Sequence, residues 1–165
     1  MALQFDDLRV LKAAEELADD IWQLVIGWDS FAKDVVGKQL ARAADSIGAN
    51  IAEAFGRYHY GEKLQFLYYA RGSLFETKYW INRGVRRHLL DSQREEQFAS
   101  SLNNLGRQLN QFAQMIRQQR SSGSSASVAE TSSIYVVNPS IHQISGEDES
   151  ILSQDDLNAL SSTRS

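Results

Sequence analysis

Residues 39–62 read QLARAADSIGANIAEAFGRYHYGE, and two stripes run along them. Leu40, Ala43, Ala44, Ile47, Ile51 and Ala54 recur at three- and four-residue steps, the spacing of one face of an α-helix. A second line, Gln39, Arg42, Ser46, Asn50, Glu53 and Arg57, keeps the same period beside the first. The apolar stripe predicts a helix with one buried face. The polar stripe sets hydrogen-bonding groups at the edge of that face, where an unpaired buried charge costs several kcal/mol. It therefore predicts a partnered network: Arg42 with Glu53 or Glu76, and the stripe as a whole against Ser73 and Glu76 of the next helix or against a neighbouring subunit.

The same periodicity extends outward. A first helix is expected over about residues 5–27, with Leu8, Leu11, Leu17, Ala18, Ile21, Leu24 and Val25 inward. The quoted stretch belongs to a second, from about Asp34 to Tyr58, broken at "HYG". A third covers about residues 62–88 and carries Leu64, Leu67, Leu74, Ile81 and Val85. A fourth starts near Asp91 or Ser92, where a short polar side chain can cap free amides. Its stripe of Phe98, Leu102, Leu105, Leu109, Phe112 and Ile116 alternates four and three, the seam of a bundle or coiled coil. No strand pattern competes before residue 130. Four such helices with short links predict an all-α, antiparallel up-and-down four-helix bundle over residues 1–120.

Composition changes at "RQQRSSGSSASVAETSS". Beyond it serine dominates and aromatics nearly vanish, so residues 121–165 read as a mostly disordered, acidic tail. The net charge of -4 hides this division. Residues 1–120 hold 16 of the 17 Lys and Arg and 15 of the 21 Asp and Glu, which leaves one Arg against six acids in the tail. Two tail segments stand out. Ile134, Tyr135, Val136 and Val137 form a short extended-type run ended by Asn138-Pro139. "SILSQDDLNALSS" can form a short helix, with Ser153 as cap, Asp156 three residues on, and Leu157 and Leu160 on one side. Both are either incidental or docking motifs for a protein partner, one by strand addition and one as a helix in a groove.

Little in the sequence points to catalysis. The chain has no cysteine and three histidines, His59, His88 and His142, each isolated. No Glu-x-x-His pair supports a metal site inside a bundle. Neither a phosphate-binding glycine loop nor a Gly-x-Ser-x-Gly elbow occurs. The expectation is a protein without catalytic residues, metal or cofactor. With no apolar run of membrane-spanning length and no secretory signal pattern, it is expected to be cytoplasmic and to have no membrane partner. Arg83, Arg86 and Arg87 cluster at the end of the third helix. They either complement the helix dipole or contact nucleic-acid phosphates, although the net charge does not itself favour nucleic acid. Tyr58, Tyr60, Tyr68, Tyr69, Tyr79, Trp22, Trp28 and Trp80 exceed what a small interior needs. They line a subunit interface or pack at the ends of the bundle.

The residues Gln39, Arg42, Ala43, Ser46, Ile47, Asn50, Ile51, Ala52, Glu53, Gly56 and Arg57 form a recognisable set. They are followed by Glu62, Phe66, Ala70, Gly72, Ser73 and Glu76. Together they resemble the signature of the small four-helix-bundle proteins encoded in bacterial ribosomal RNA intervening sequences. One departure is Ala54, where the family usually has glycine. The resemblance covers roughly residues 1–120. It implies a bundle fold, a ring-like homo-oligomer (a homopentamer in typical relatives) and no known enzymatic activity. Related bundles are ring-shaped, basic accessory proteins to the reverse transcriptases of diversity-generating retroelements, and they bind nucleic acid. The expected function is accordingly a non-catalytic, homo-oligomeric binding or adaptor protein associated with RNA or with a nucleic-acid enzyme such as a reverse transcriptase. The alternative is an oligomeric scaffold that presents its tail motifs to a protein partner.

Overall fold

The first helix, α1 (Arg9–Ile26), turns Val10, Leu11, Ala14, Leu17, Ile21 and Val25 inward. It belongs to a computed structural model that describes residues 8–124 and 150–163. The chain leaves α1 at Gly27 and reverses at Asp29. The Asp29 carboxylate accepts hydrogen bonds from the Phe31 and Ala32 amides at 2.9 and 3.0 Å, which starts the next helix by satisfying two free donors.

That helix, α2, is three pieces joined without a break: an α turn at Ser30–Ala32, a π turn at Lys33–Gly37, and an α segment at Lys38–Gly56. At this bend α2 lies close against α1. A Cβ on Gly37 would stand 2.6 Å from Cγ1 of Val25, so only glycine allows this approach. The long segment buries Leu40, Ala43, Ala44, Ile47, Ile51 and Ala54, the apolar stripe read from the sequence.

Helix α3 (Tyr60–Arg86) buries Leu67, Ala70, Leu74, Thr77, Lys78, Ile81 and Gly84. It ends in a Schellman arrangement. The Leu89 amide donates to the Gly84 carbonyl at 2.9 Å and the His88 amide to that of Val85 at 3.0 Å. His88 takes φ 58°, the position glycine usually fills. Leu90 then folds back over Gly84, where a Cβ would come within 2.3 Å of its Cδ1. Asp91 caps α4 (Ser92–Ser124) through the Arg94 amide at 2.8 Å. The α4 seam of Phe98, Leu102, Leu105, Leu109, Phe112 and Ile116 is buried throughout. Helix α2 packs on α1 and α3, and α4 packs on α3 and back on α1.

A fifth helix, α5 (Gln154–Ser161), packs against α4. The expectation of a simple four-helix bundle with a disordered C-terminal tail is therefore corrected: the structure has five helices among the described residues, the second of them bent. The physical reason is local. A full capping box joins Ser153 and Asp156, and Ile151, Leu152, Leu157 and Leu160 are all buried. That burial offsets the ordering entropy which the serine-rich average composition of the tail does not cover. The homopentamer expected together with that four-helix protomer is withdrawn with it, since the protomer has five helices among the described residues.

Candidate functional site

The polar stripe of α2 divides into an ordered centre and two exposed ends. Gln39, Ser46 and Asn50 are half-buried, whereas Arg42, Glu53 and Arg57 are exposed. At the centre, the Ser46 hydroxyl donates to the Arg42 carbonyl at 2.7 Å, and the Asn50 amide donates to the Ser46 carbonyl at 2.8 Å. Asn50 also reaches across to the half-buried Ser73 hydroxyl of α3 at 3.4 Å. Ser73 in turn donates to the Tyr69 carbonyl at 3.2 Å. The expected meeting of the stripe with Ser73 is thus made through one residue, Asn50.

The expected ion pairs are arranged differently. Glu53 pairs with Arg57 at 2.6 Å, one turn away on the same helix. No ion pair joins Arg42 to Glu53 or Glu76 among the described residues, and Glu76 is exposed. Eleven residues separate Arg42 from Glu53, about 16 Å along a helix, too far for a salt bridge. Arg57 also lies over the Phe66 ring at 4.6 Å, which ties the end of α2 to α3.

Two groups of basic residues, Arg57, His59 and Lys63 at the α2–α3 turn and Arg83, Arg86 and Arg87 at the end of α3, lie at opposite ends of α3. Arg83, half-buried, and Arg86 and Arg87, exposed, share one end with the α1–α2 corner. There Arg87 and Leu89 line a pocket with Phe31 and Val35. Phe31 is 76% exposed, and Trp22 and Ile26 on α1 are also open. At the other end Tyr58 is 89% exposed, next to Arg57 and His59. Tyr68, Tyr69 and Tyr79 are exposed along α3.

The groove between α3 and α4 holds the segment 150–163. Asn110 of α4 brackets Leu152, donating to its carbonyl and accepting from its amide, each at 2.7 Å. Asn103 donates to the Leu157 carbonyl at 2.6 Å. On α3, Arg71 holds both oxygens of Asp156 at 3.1 Å, and Lys78 donates to the Ser162 carbonyl at 2.6 Å. Between the two polar rows lies Gly106, where a Cβ would stand 3.0 Å from Leu157 and 3.2 Å from Leu160. Burial raises the pKa of Asp156. Hydrogen bonds from the Ser153 amide, from Arg71 and from the Ser153 hydroxyl outweigh it, and they hold the carboxyl below its ordinary value.

Leu157 and Leu160, read from the sequence as a partner motif, are thus buried inside the chain's own groove. The other tail motif, Ile134 to Val137, lies outside the described residues. Sequence reasoning missed Arg71, Lys78, Asn103, Asn110 and Gly106. The available signal was the seven-residue spacing within each polar pair, which repeats one helix face every two turns.

Among the described residues no three His, Asp or Glu side chains stand close enough to share a metal ion, and no helix is long and apolar enough to cross a membrane. No curated protein matches the chain. A family model described as 23S rRNA-intervening sequence protein matches residues 6–111, from just ahead of α1 into α4. The match contains the whole polar stripe, Ser73, Glu76 and the Arg83–Arg87 cluster, and it stops before α5. Since it spans well over half of the sequence, the chain belongs to the 23S rRNA-intervening sequence protein family.

Proposed function

We propose that this protein is a non-catalytic, self-associating binding protein that works with RNA or with an enzyme acting on nucleic acid. The observation that carries the reading is the open apolar surface at the α1–α2 corner. Phe31 and Val35 are exposed there and line a pocket with Arg87 and Leu89, and Trp22 and Ile26 are exposed on the last turns of α1. Large side chains left open in a group mark an interaction face. Aromatics and arginines together are the residue types enriched where protein surfaces meet. The same types also suit RNA, whose unstacked bases pack on aromatic rings and whose phosphates accept from arginine. Family membership supports the RNA association.

The test is the mass in solution by multi-angle light scattering, for the wild type and for Phe31→Ser. The single chain has a mass of 18.6 kDa. The wild type should elute at a multiple of that mass, and Phe31→Ser should shift toward one copy with its helicity kept. A wild type that stays at one chain across the micromolar range contradicts self-association. Purification with and without nuclease then decides the partner. Loss of a co-purifying component on nuclease treatment supports RNA, and an RNA-free preparation that binds no RNA at low salt refutes it.

A further inference from the structure

The α3–α4 groove recognises a peptide rather than merely covering a hydrophobic face. Three of its four polar side chains, Asn103, Asn110 and Lys78, bond to main-chain atoms of the segment, at Leu157, Leu152 and Ser162. The fourth, Arg71, supplies charge complementarity to the acidic first turn of α5 through Asp156. The rows are matched in register. Arg71 and Lys78 are seven residues apart on α3, and Asn103 and Asn110 are seven apart on α4. Along α3 the contacts run from Asp156 to Ser162. Along α4 they run in reverse, from Leu157 to Leu152. The helix α5 therefore lies parallel to α3 and antiparallel to α4, with Leu157 and Leu160 pressed onto Gly106.

The tertiary hydrogen bonds made by Leu152, Asp156, Leu157 and Ser162 go to α3 and α4. Twenty-five residues, 125–149, lie between α4 and this segment. From Ser124 back to Asn110 is about 21 Å along the helix, a distance that about seven extended residues cover. The chain between them is several times longer than docking on its own groove needs. An identical groove on another copy offers the same contacts, and exchange of an identical element is a low-cost route to association.

We propose that the α3–α4 groove is a docking site for the acidic segment 150–163 of a second copy of this chain, which exchanges with the resident segment. This deepens the self-association reading by giving it a second, separable contact. The segment lies outside the part of the chain that matches the family, whereas Arg71, Lys78, Asn103, Gly106 and Asn110 of the groove lie inside it.

The test uses two full-length variants. Leu157→Glu/Leu160→Glu spoils the segment and leaves the groove open. Gly106→Leu fills the groove and leaves the segment free. Each is examined alone and mixed one to one by native mass spectrometry and by energy transfer between labelled copies. Mixing should produce a mixed species absent from either variant alone. Replacing Asn103 and Asn110 by alanine in the groove donor should weaken that species at least tenfold. Mixing that adds nothing, with the helicity of both variants at the wild-type level, overturns the exchange. Should either variant lose helicity, a labelled peptide of residues 150–163 is titrated into full-length Asp156→Lys, whose own segment is repelled by Arg71. Saturable binding supports the site, and none refutes it. Association of each variant alone reports on the α1–α2 corner, so failure of the exchange and failure of self-association are distinguished.

Discussion

Replacing Leu160 by alanine should release α5 and leave the rest of the protein folded. Leu160 is fully buried, and its Cδ1 lies close enough to α4 that a Cβ on Gly106 would be 3.2 Å away. The leucine therefore rests on helix backbone, which does not collapse into the space left behind. Leu→Ala at buried sites costs about 2–5 kcal/mol. At a peripheral helix with one side near water the lower part of that range applies, about 2–3 kcal/mol, or roughly 30- to 150-fold in the opening equilibrium. The assay is native-state hydrogen exchange at the amides from Leu157 to Ser162. These include two donors with defined acceptors, Leu157 to the Ser153 carbonyl and Ser162 to the Asn158 carbonyl, at 3.1 and 3.0 Å. They should exchange faster by that factor, while amides at Leu40, Ile47 and Ile51 keep their rates. Unchanged protection in α5 would refute the burial argument. An equal loss at Ile47 and Ile51 would refute the separability of α5, because it would make the segment part of one cooperative unit with the interior.

Three further outcomes follow from other features. Asp156 has its pKa held down in the folded state. It stabilises α5 above the unfolded value near ~3.9 and loses that contribution as pH falls through the lower folded value. Protection of α5 should accordingly hold between pH 5 and 7 and fall only below about pH 4, and Asp156→Asn should be weaker throughout and lose this acid step. His88→Gly should stabilise the protein by about 0.5–1 kcal/mol in urea denaturation, since the left-handed conformation costs a side chain about 1–2 kcal/mol and the more flexible unfolded glycine returns part of it; a lower midpoint would show that His88 makes a contact worth more than its strain. Gly37→Ala should cost about 1–3 kcal/mol through its clash with Val25, and adding Val25→Ala should make the pair less destabilised than the two single changes sum to, with strict additivity refuting the clash.

The helices of the family-matched region were legible because each carries a long apolar stripe. Ile47 and Ile51, or Leu102 and Leu109, repeat a burial pattern that few other arrangements satisfy. The polar stripe was legible as a line but not as a set of pairs. Asn50 found Ser73, but Arg42 and Glu53 are too far apart along α2 to meet. Sequence spacing shows which residues share a face and not how far along it they lie from a partner on another helix. The fifth helix was half legible. Its cap and its two leucines could be read directly, but what covers them depends on α3 and α4 side chains that look like ordinary surface residues. Arg71 and Lys78 resemble any solvated cations until a carboxylate and a carbonyl arrive from some eighty residues away.

The π turn at Lys33–Gly37 has a consequence for how this chain can change its length. A π turn is an α-helix that carries one residue more than its hydrogen-bond ladder requires. Deleting one residue there lets the ladder close in the α register without a gap. The segment from Lys38 onward, with its stripe against α3, keeps its phase. The corner before it, Asp29 to Ala32, keeps its bearing as well, because the extra residue is held in the widened turn and not as a twist of the helix. Loss of one residue at this position therefore leaves the exposed Phe31 and the interior beneath it in register, where the same loss in a plain α-helix would rotate one side by about 100°.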